Sequence, residues 1–309
     1  MPRYPTPTIL PIAIDNGALY LQSIIQDSSS SSNTACRGLA IIAHPLGRLG
    51  GSFDDAIVTH LASLFLTHFQ LRVVRFNSRG VGKSGGSPSW TGRSECSDFQ
   101  ELLLKCVDNF CLDFPDSIAA QLVVAGYSAG SLYATTVRVP KGVYETRQFR
   151  GGKKPRYVLV SFPAGVTWAL SFFTTKTYND ALKELLGSQT LPGGNATEVE
   201  VEGQARAVAA AAAKAVESTS ANDADAQPVA GHVLAVYGDA DQFTGIKTYH
   251  TWTKECSSLA PSPNEVAERE NGSTFHHVLI EGADHFYRSN EAVDGLDKAV
   301  VEWYEALAD

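Results

Sequence analysis

The sequence offers polyanions little to bind: across 309 residues, 25 Lys and Arg face 33 Asp and Glu, for a formal net charge of -8. Nucleic acids and anionic membranes recruit clustered Lys and Arg, so neither is expected as a partner and a small-molecule substrate becomes the default. The five cysteines, at 36, 96, 106, 111 and 256, contain no CxxC pair. Their odd number fits reduced thiols in a cytoplasmic protein better than a disulfide framework, with Cys106 and Cys111 facing a core from a helix. No apolar run reaches the roughly 18 residues needed to span a bilayer. The start of the chain lacks a charged segment followed by a long apolar one, so neither export nor a membrane span is expected. No internal repeat is evident. What is present is 44% hydrophobic and 19% charged residues, enough for a large core, and this length suits one α/β domain with insertions.

Short runs rich in Val, Ile and Leu alternate with longer stretches of helical period, the pattern of a mostly parallel sheet covered by helices on both faces. Residues 9–15 and 18–26 flank Asn16-Gly17, which predicts a two-residue hairpin turn and an antiparallel opening pair. Strands are predicted over 38–45, 71–77, 121–126, 157–163, 232–238 and 277–282, which brings the count to about eight. Helices are predicted over 54–69, with Ile57, Leu61, Leu64 and Phe65 on one face, over 99–110, directly after Ser128, and over 291–307. Between 165 and 228 the strand–helix rhythm stops: an aromatic stretch, a Gly-Pro-Gly break and an alanine-rich segment read as an inserted lid. Residues 257–273 read as a further loop.

The sharpest motif is Gly126-Tyr127-Ser128-Ala129-Gly130. A GxSxG string arises by composition alone in roughly one such chain in ten. Its context raises it: a fully apolar strand runs straight into the motif, and the segment after it can form a helix whose N-terminal dipole favours a developing oxyanion. Serine near neutral pH is a poor nucleophile and needs a base within hydrogen-bond reach, itself held by a third group. Of eight histidines, His60, His68 and His250 fall on helices, His232, His276 and His277 flank strands, and His44 belongs to another loop. His285 follows a strand, which places it at the carboxyl end of a parallel sheet, where such sites assemble. The acid belongs between nucleophile and base in the chain. Residues 236–245 offer Asp239 and Asp241. Asp241 is the choice, because Asp239 sits in a turn that can consume its carboxylate in backbone hydrogen bonds; Asp239 and then Asp284 are the alternatives.

Acyl transfer also needs amides aimed at the oxyanion, each worth roughly 2.7–4 kcal/mol. Ala129 supplies one N–H, and Leu46, in the glycine-containing loop 43–51, can supply the other; Pro45 has none. His44 is expected to brace that loop. The glycine-rich segment 75–86 lacks the spacing of a P-loop and reads as a supporting turn. Tyr127, Trp168, Phe172 and Phe173 are expected in the substrate pocket, although aromatics spaced like these three and Tyr178 equally suit packing within a lid's own core. No cofactor and no metal is called for.

In this order, HPLG, RFNSRGVGKSGG, GYSAG, YGDADQF and EGADHFY, the chain resembles the α/β-hydrolase superfamily over nearly its whole length. It looks closest to small intracellular serine hydrolases related to dienelactone hydrolases. The resemblance implies an α/β-hydrolase fold with an eight-stranded sheet, a Ser128–His285–Asp241 triad and an oxyanion hole from Leu46 and Ala129. Two departures stand out: the 165–228 segment is longer than in compact relatives, and serine replaces the cysteine nucleophile of true dienelactone hydrolases. The expected activity is cleavage of an ester or thioester through an acyl-serine. Acyl transfer, lyase or cyclisation chemistry at the same site, or ligand binding without turnover, are the alternatives, and the first class differs from hydrolysis in incorporating no solvent oxygen.

Overall fold

The computed structural model describes residues 7–28, 34–165, 175–186, 228–260 and 274–307. Eight strands form one sheet: β1 (Thr8–Ile14), β2 (Leu19–Gln26), β3 (Gly38–Ala43), β4 (Arg72–Phe76), β5 (Gln121–Tyr127), β7 (Arg156–Val160), β9 (His232–Gly238) and β10 (Phe275–Ile280). Their spatial order is β1-β2-β4-β3-β5-β7-β9-β10, and only β2 runs against its neighbours. A separate two-residue ribbon joins β6 (Val139–Pro140) to β8 (Pro228–Val229).

β3, β4 and β7 are buried at every residue, as strands covered on both faces must be. Alternation splits their side chains between two cores. Leu39, Ile41, Leu122, Val124 and Leu159 meet α2 (Arg93–Asp113), α3 (Ala129–Thr136), α4 (Thr175–Leu185) and α5 (Ile246–Leu259). Ala40, Ile42, Val123, Ala125 and Val158 meet α1 (Ala56–Thr67) and α6 (Asn290–Ala306). Each fully buried Val or Leu contributes roughly 1.5–3 kcal/mol. Both helices of the second layer have side-chain caps, worth about 1 kcal/mol apiece: Asp55 accepts from the Ile57 N–H, and Ser289 from the Ala292 N–H.

The expected elements are present with shifted ends. The hairpin loop spans four residues, because Ile14 already pairs with Leu19, and Asn16 and Gly17 take the left-handed conformation inside it. β7 stops at Val160 rather than 163: Ser161 turns left-handed (φ 47°) and donates its N–H to the Val236 carbonyl. α2 begins six residues before the apolar period does, at Arg93 behind a left-handed Gly92. Residues 257–259, expected in a loop, complete α5, whose Cys256 and Trp252 anchor it in the core.

Most of the 165–228 insertion, including Trp168, Phe172, Phe173 and the alanine-rich segment, lies outside the described residues. The described part is α4, which packs as a core helix: Tyr178, Leu182 and Leu185 are buried, and Arg138 donates to the Ala181 carbonyl. Among the described residues, no helix is long and apolar enough to cross a membrane. All five cysteines are unpaired; Cys106 is buried, which pushes its thiol up to about 12, whereas Cys111 is only half-buried.

Candidate active site

Parallel strands deliver their carboxyl ends to one rim, and the rim after β3, β5, β7, β9 and β10 carries the polar residues singled out from sequence. The turn from β5 into α3 is the tightest of these. Ser128 sits at its apex with φ 53° and ψ −121°, a conformation that costs a non-glycine residue roughly 1–3 kcal/mol. The Ser128 N–H donates to the Val160 carbonyl of the neighbouring strand, while the Ser128 carbonyl accepts from the N–H and hydroxyl of Ser131. The flanking glycines are required by backbone contact. A Cβ on Gly126 would lie 2.2 Å from the Gly130 carbonyl oxygen, and one on Gly130 would lie 2.4 Å from that of Ala43. Those contacts press the start of α3 against the end of β3.

His285, in the loop after β10, comes back to this turn. Its Nε2 lies 3.0 Å from Ser128 Oγ and its Nδ1 2.8 Å from Asp241 Oδ2. The imidazole and the carboxylate are almost wholly buried, at 5% and 0% side-chain exposure. Asp241 is fixed from both sides: Oδ1 accepts the N–H groups of Phe243 and Thr244, and Oδ2 accepts the Tyr249 hydroxyl at 3.1 Å as well as His285. Burial alone would raise the Asp241 carboxyl, but the hydrogen bond and charge of His285 and the two amides outweigh it and hold the group below its ordinary value. Burial and the neighbouring Asp241 charge hold the Tyr249 hydroxyl protonated, so it remains a donor.

The other two aspartates are engaged elsewhere. Asp239 accepts a backbone amide, but from Gly282 in the loop after β10 rather than from its own turn, and Asp284 accepts from the Phe286 and Arg288 amides and the Arg288 guanidinium. His44 holds the loop after β3. It is 1% exposed, donates from Nδ1 to the Pro45 carbonyl and accepts the Ser78 N–H at Nε2, and burial brings its pKa down to about 4, so it is neutral near pH 7. The 75–86 turn spends its polar groups on its own surroundings: Asn77 bonds Phe53 and Gln22, and Arg79 forms a two-pronged pair with Asp98.

Ala129 opens α3, where a helix has no partner for its first amide, and among the described residues neither its N–H nor that of Leu46 has a protein acceptor. Gly130 touches the Ala43 and His44 carbonyls, so the Leu46 loop runs beside this helix start.

Tyr127 departs from expectation. Strand alternation sends it with Val123 and Ala125 to the α1/α6 face, where it is 2% exposed and donates to the His285 carbonyl at 2.8 Å. It therefore holds the histidine loop from below rather than lining a pocket. Tyr178 is likewise packed, its hydroxyl on the Thr91 carbonyl. Residues missed from sequence are Tyr249, Thr244 and Gln242, whose side chain accepts the His285 N–H, together with Phe243 and Phe286, which abut the imidazole.

A sequence model described as the Alpha/beta hydrolase family matches residues 40–294. No curated protein matches the chain. Among solved structures, the fold is similar to that of an alpha/beta serine hydrolase without lid from Xanthomonas campestris, at 19% identity and TM-score 0.54, with 98% of each chain covered. It is similar to an alpha-beta serine hydrolase homologue from Coxiella burnetii at 18% identity and TM-score 0.54, again with 98% of each covered. An esterase from Pyrococcus furiosus is 14% identical at TM-score 0.54, covering 97% of this chain and 90% of its own.

Proposed function

Because this chain belongs to the alpha/beta hydrolase family, we propose that it is a serine hydrolase that cleaves a carboxylic ester or thioester of a small molecule through an acyl-Ser128 intermediate. The carrying observation is the continuous hydrogen-bonded line from Ser128 Oγ through His285 to Asp241. In this reading His285 Nε2 takes the Ser128 proton as Oγ attacks the acyl carbon, and Asp241 fixes the imidazole orientation and stabilises its protonated form. The N–H groups of Leu46 and Ala129 receive the oxyanion. The alkoxide or thiolate then departs with the proton from His285, and water, deprotonated by the same histidine, releases the acid.

Tyr127 and Tyr249 are positioning residues in this scheme, holding His285 and Asp241 through one hydroxyl each. The insertion at 165–228 is assigned the role of a lid on a single catalytic domain, with its aromatic residues Trp168, Phe172 and Phe173 contributing to the acyl pocket. A fluorophosphonate probe is expected to label Ser128 in the folded protein, and Ser128→Ala to lower ester turnover by at least about 10³-fold. Wild-type turnover by the alanine variant, or absence of labelling, would remove the assignment.

A further inference from the structure

This inference rests on the hydrolase reading and assigns its leaving-group side. If His285 hands its proton to the departing group, the side chains that flank the imidazole flank that group too. Among the described residues the exposed Phe, Tyr and Trp side chains are Tyr20, Trp90, Phe243 and Phe286, and two of them meet the His285 ring. Phe243 approaches it edge-on with centroids 4.6 Å apart, and Phe286 does so at 5.4 Å. The two phenyls stand 6.0 Å apart and roughly perpendicular. Their exposures, 41% and 42%, contrast with the 2% of Tyr127, the third ring beside the imidazole.

Neither phenyl is a loose surface residue. The Phe243 N–H is held by Asp241, and its carbonyl lies against Gly165, where an added Cβ would come within 3.1 Å of it. The Phe286 N–H donates to Asp284, and the Arg288 guanidinium rests over its ring at 4.6 Å. Apolar surface is thus held in fixed orientation next to the proton donor while still facing water, which lowers the ordering cost for a ligand that covers it.

We propose that Phe243 and Phe286 form the leaving-group subsite and that the preferred substrate is an ester or thioester of an aromatic or bulky apolar alcohol or thiol. In the step concerned, the Ser128 Oγ–acyl bond forms, the bond from acyl carbon to the leaving oxygen or sulfur breaks, and its electron pair takes the proton from Nε2. The subsite acts on acylation and leaves the acyl preference untouched.

The test uses benzyl butyrate, ethyl butyrate and ethyl hexanoate, with kcat/KM measured for wild type, Phe243→Ala, Phe243→Leu, Phe286→Ala and Phe286→Leu. Wild type is expected to favour benzyl over ethyl butyrate by on the order of 30-fold. Each alanine variant should cut that ratio by about fivefold, with the leucine variants between, while the hexanoate-to-butyrate ratio stays constant. Ratios cancel any general loss caused by loosening His285. A wild-type benzyl-to-ethyl ratio near one, an unchanged ratio in the variants, or a shift in the acyl ratio instead would overturn the subsite. Fluorophosphonate labelling of Ser128 separates the two readings: a labelled enzyme with a flat ratio loses only the subsite, and an unlabelled, inactive wild type loses both.

Discussion

Two histidine–carboxylate pairs in this molecule look alike by distance and differ in everything around them. His60 and Asp297, linking α1 to α6, are 2.6 Å apart, closer than the 2.8 Å between His285 and Asp241. The helical pair is about a third exposed on both sides and has no other ion pair among the described residues, whereas Asp241 receives four donors on a fully buried carboxylate. A second helical pair, His68 with Glu305, repeats the first eight residues along both helices at 3.2 Å and is more exposed still. Proximity therefore does not set His285 apart from the other two. What distinguishes His285 is a carboxylate whose every lone pair is committed, so that the imidazole has one orientation, and a hydroxyl waiting at its other nitrogen.

That contrast can be pressed hardest at the acid. Asp241→Asn keeps the shape but presents an amide to Nδ1, and ester turnover is expected to fall by about 10³–10⁴-fold in steady-state assays with little loss of fold. A decrease of less than tenfold would place the buried pair with the surface ones.

His44 supplies a third environment, buried without any carboxylate. Its folded pKa, about 4, lies below the ordinary 6.5, so in that interval the unfolded chain binds the extra proton. Stability is then expected to decline as pH falls from 6.5 toward 4, with up to about 3 kcal/mol attributable to this residue. Urea unfolding of wild type and His44→Gln at pH 7 and pH 4.5 reads the difference directly. The glutamine variant should show the shallower dependence, and equal slopes would contradict the assignment.

The smallest effect is expected at the surface pair. Asp297→Asn should change unfolding free energy by no more than about 1 kcal/mol and kcat/KM by less than twofold, both measurable on the same preparation. A larger activity loss would show that the α1–α6 contact reaches the site.

How far these environments could be read from the amino acids depends on whether the cause is local. GxSxG is legible because both glycines answer to contacts made within the turn itself or with the adjacent strand, and the largely apolar β3, β5 and β7 announce burial on two faces. The preference for Asp241 over Asp239 rests on turn chemistry at Gly238 and Asp239, but the amide that Asp239 accepts is that of Gly282, 43 residues on, a long-range bond that the local turn does not announce. Tyr127 belongs to the α1/α6 face, a placement that period-two alternation with Val123 and Ala125 already implies. Tyr249 left no trace: its hydroxyl reaches Asp241 from a helix, through a contact that only the assembled sheet edge creates. The half-exposed state of Phe243 and Phe286 is likewise a property of the finished surface. The start of α2 was missed because its first two turns, from Arg93, are largely polar and are held by tertiary bonds such as Asp98 with Arg79.

The glycine contacts around Ser128 carry a lesson for anyone diversifying this protein. Because a single methyl at 126 or 130 would collide with main-chain oxygen, those two codons tolerate no exploration, and the serine between them inherits a frozen address. Variation aimed at new substrates has more room in the loops that follow β9 and β10, where Phe243 and Phe286 are half-exposed and no such main-chain collision constrains their side chains.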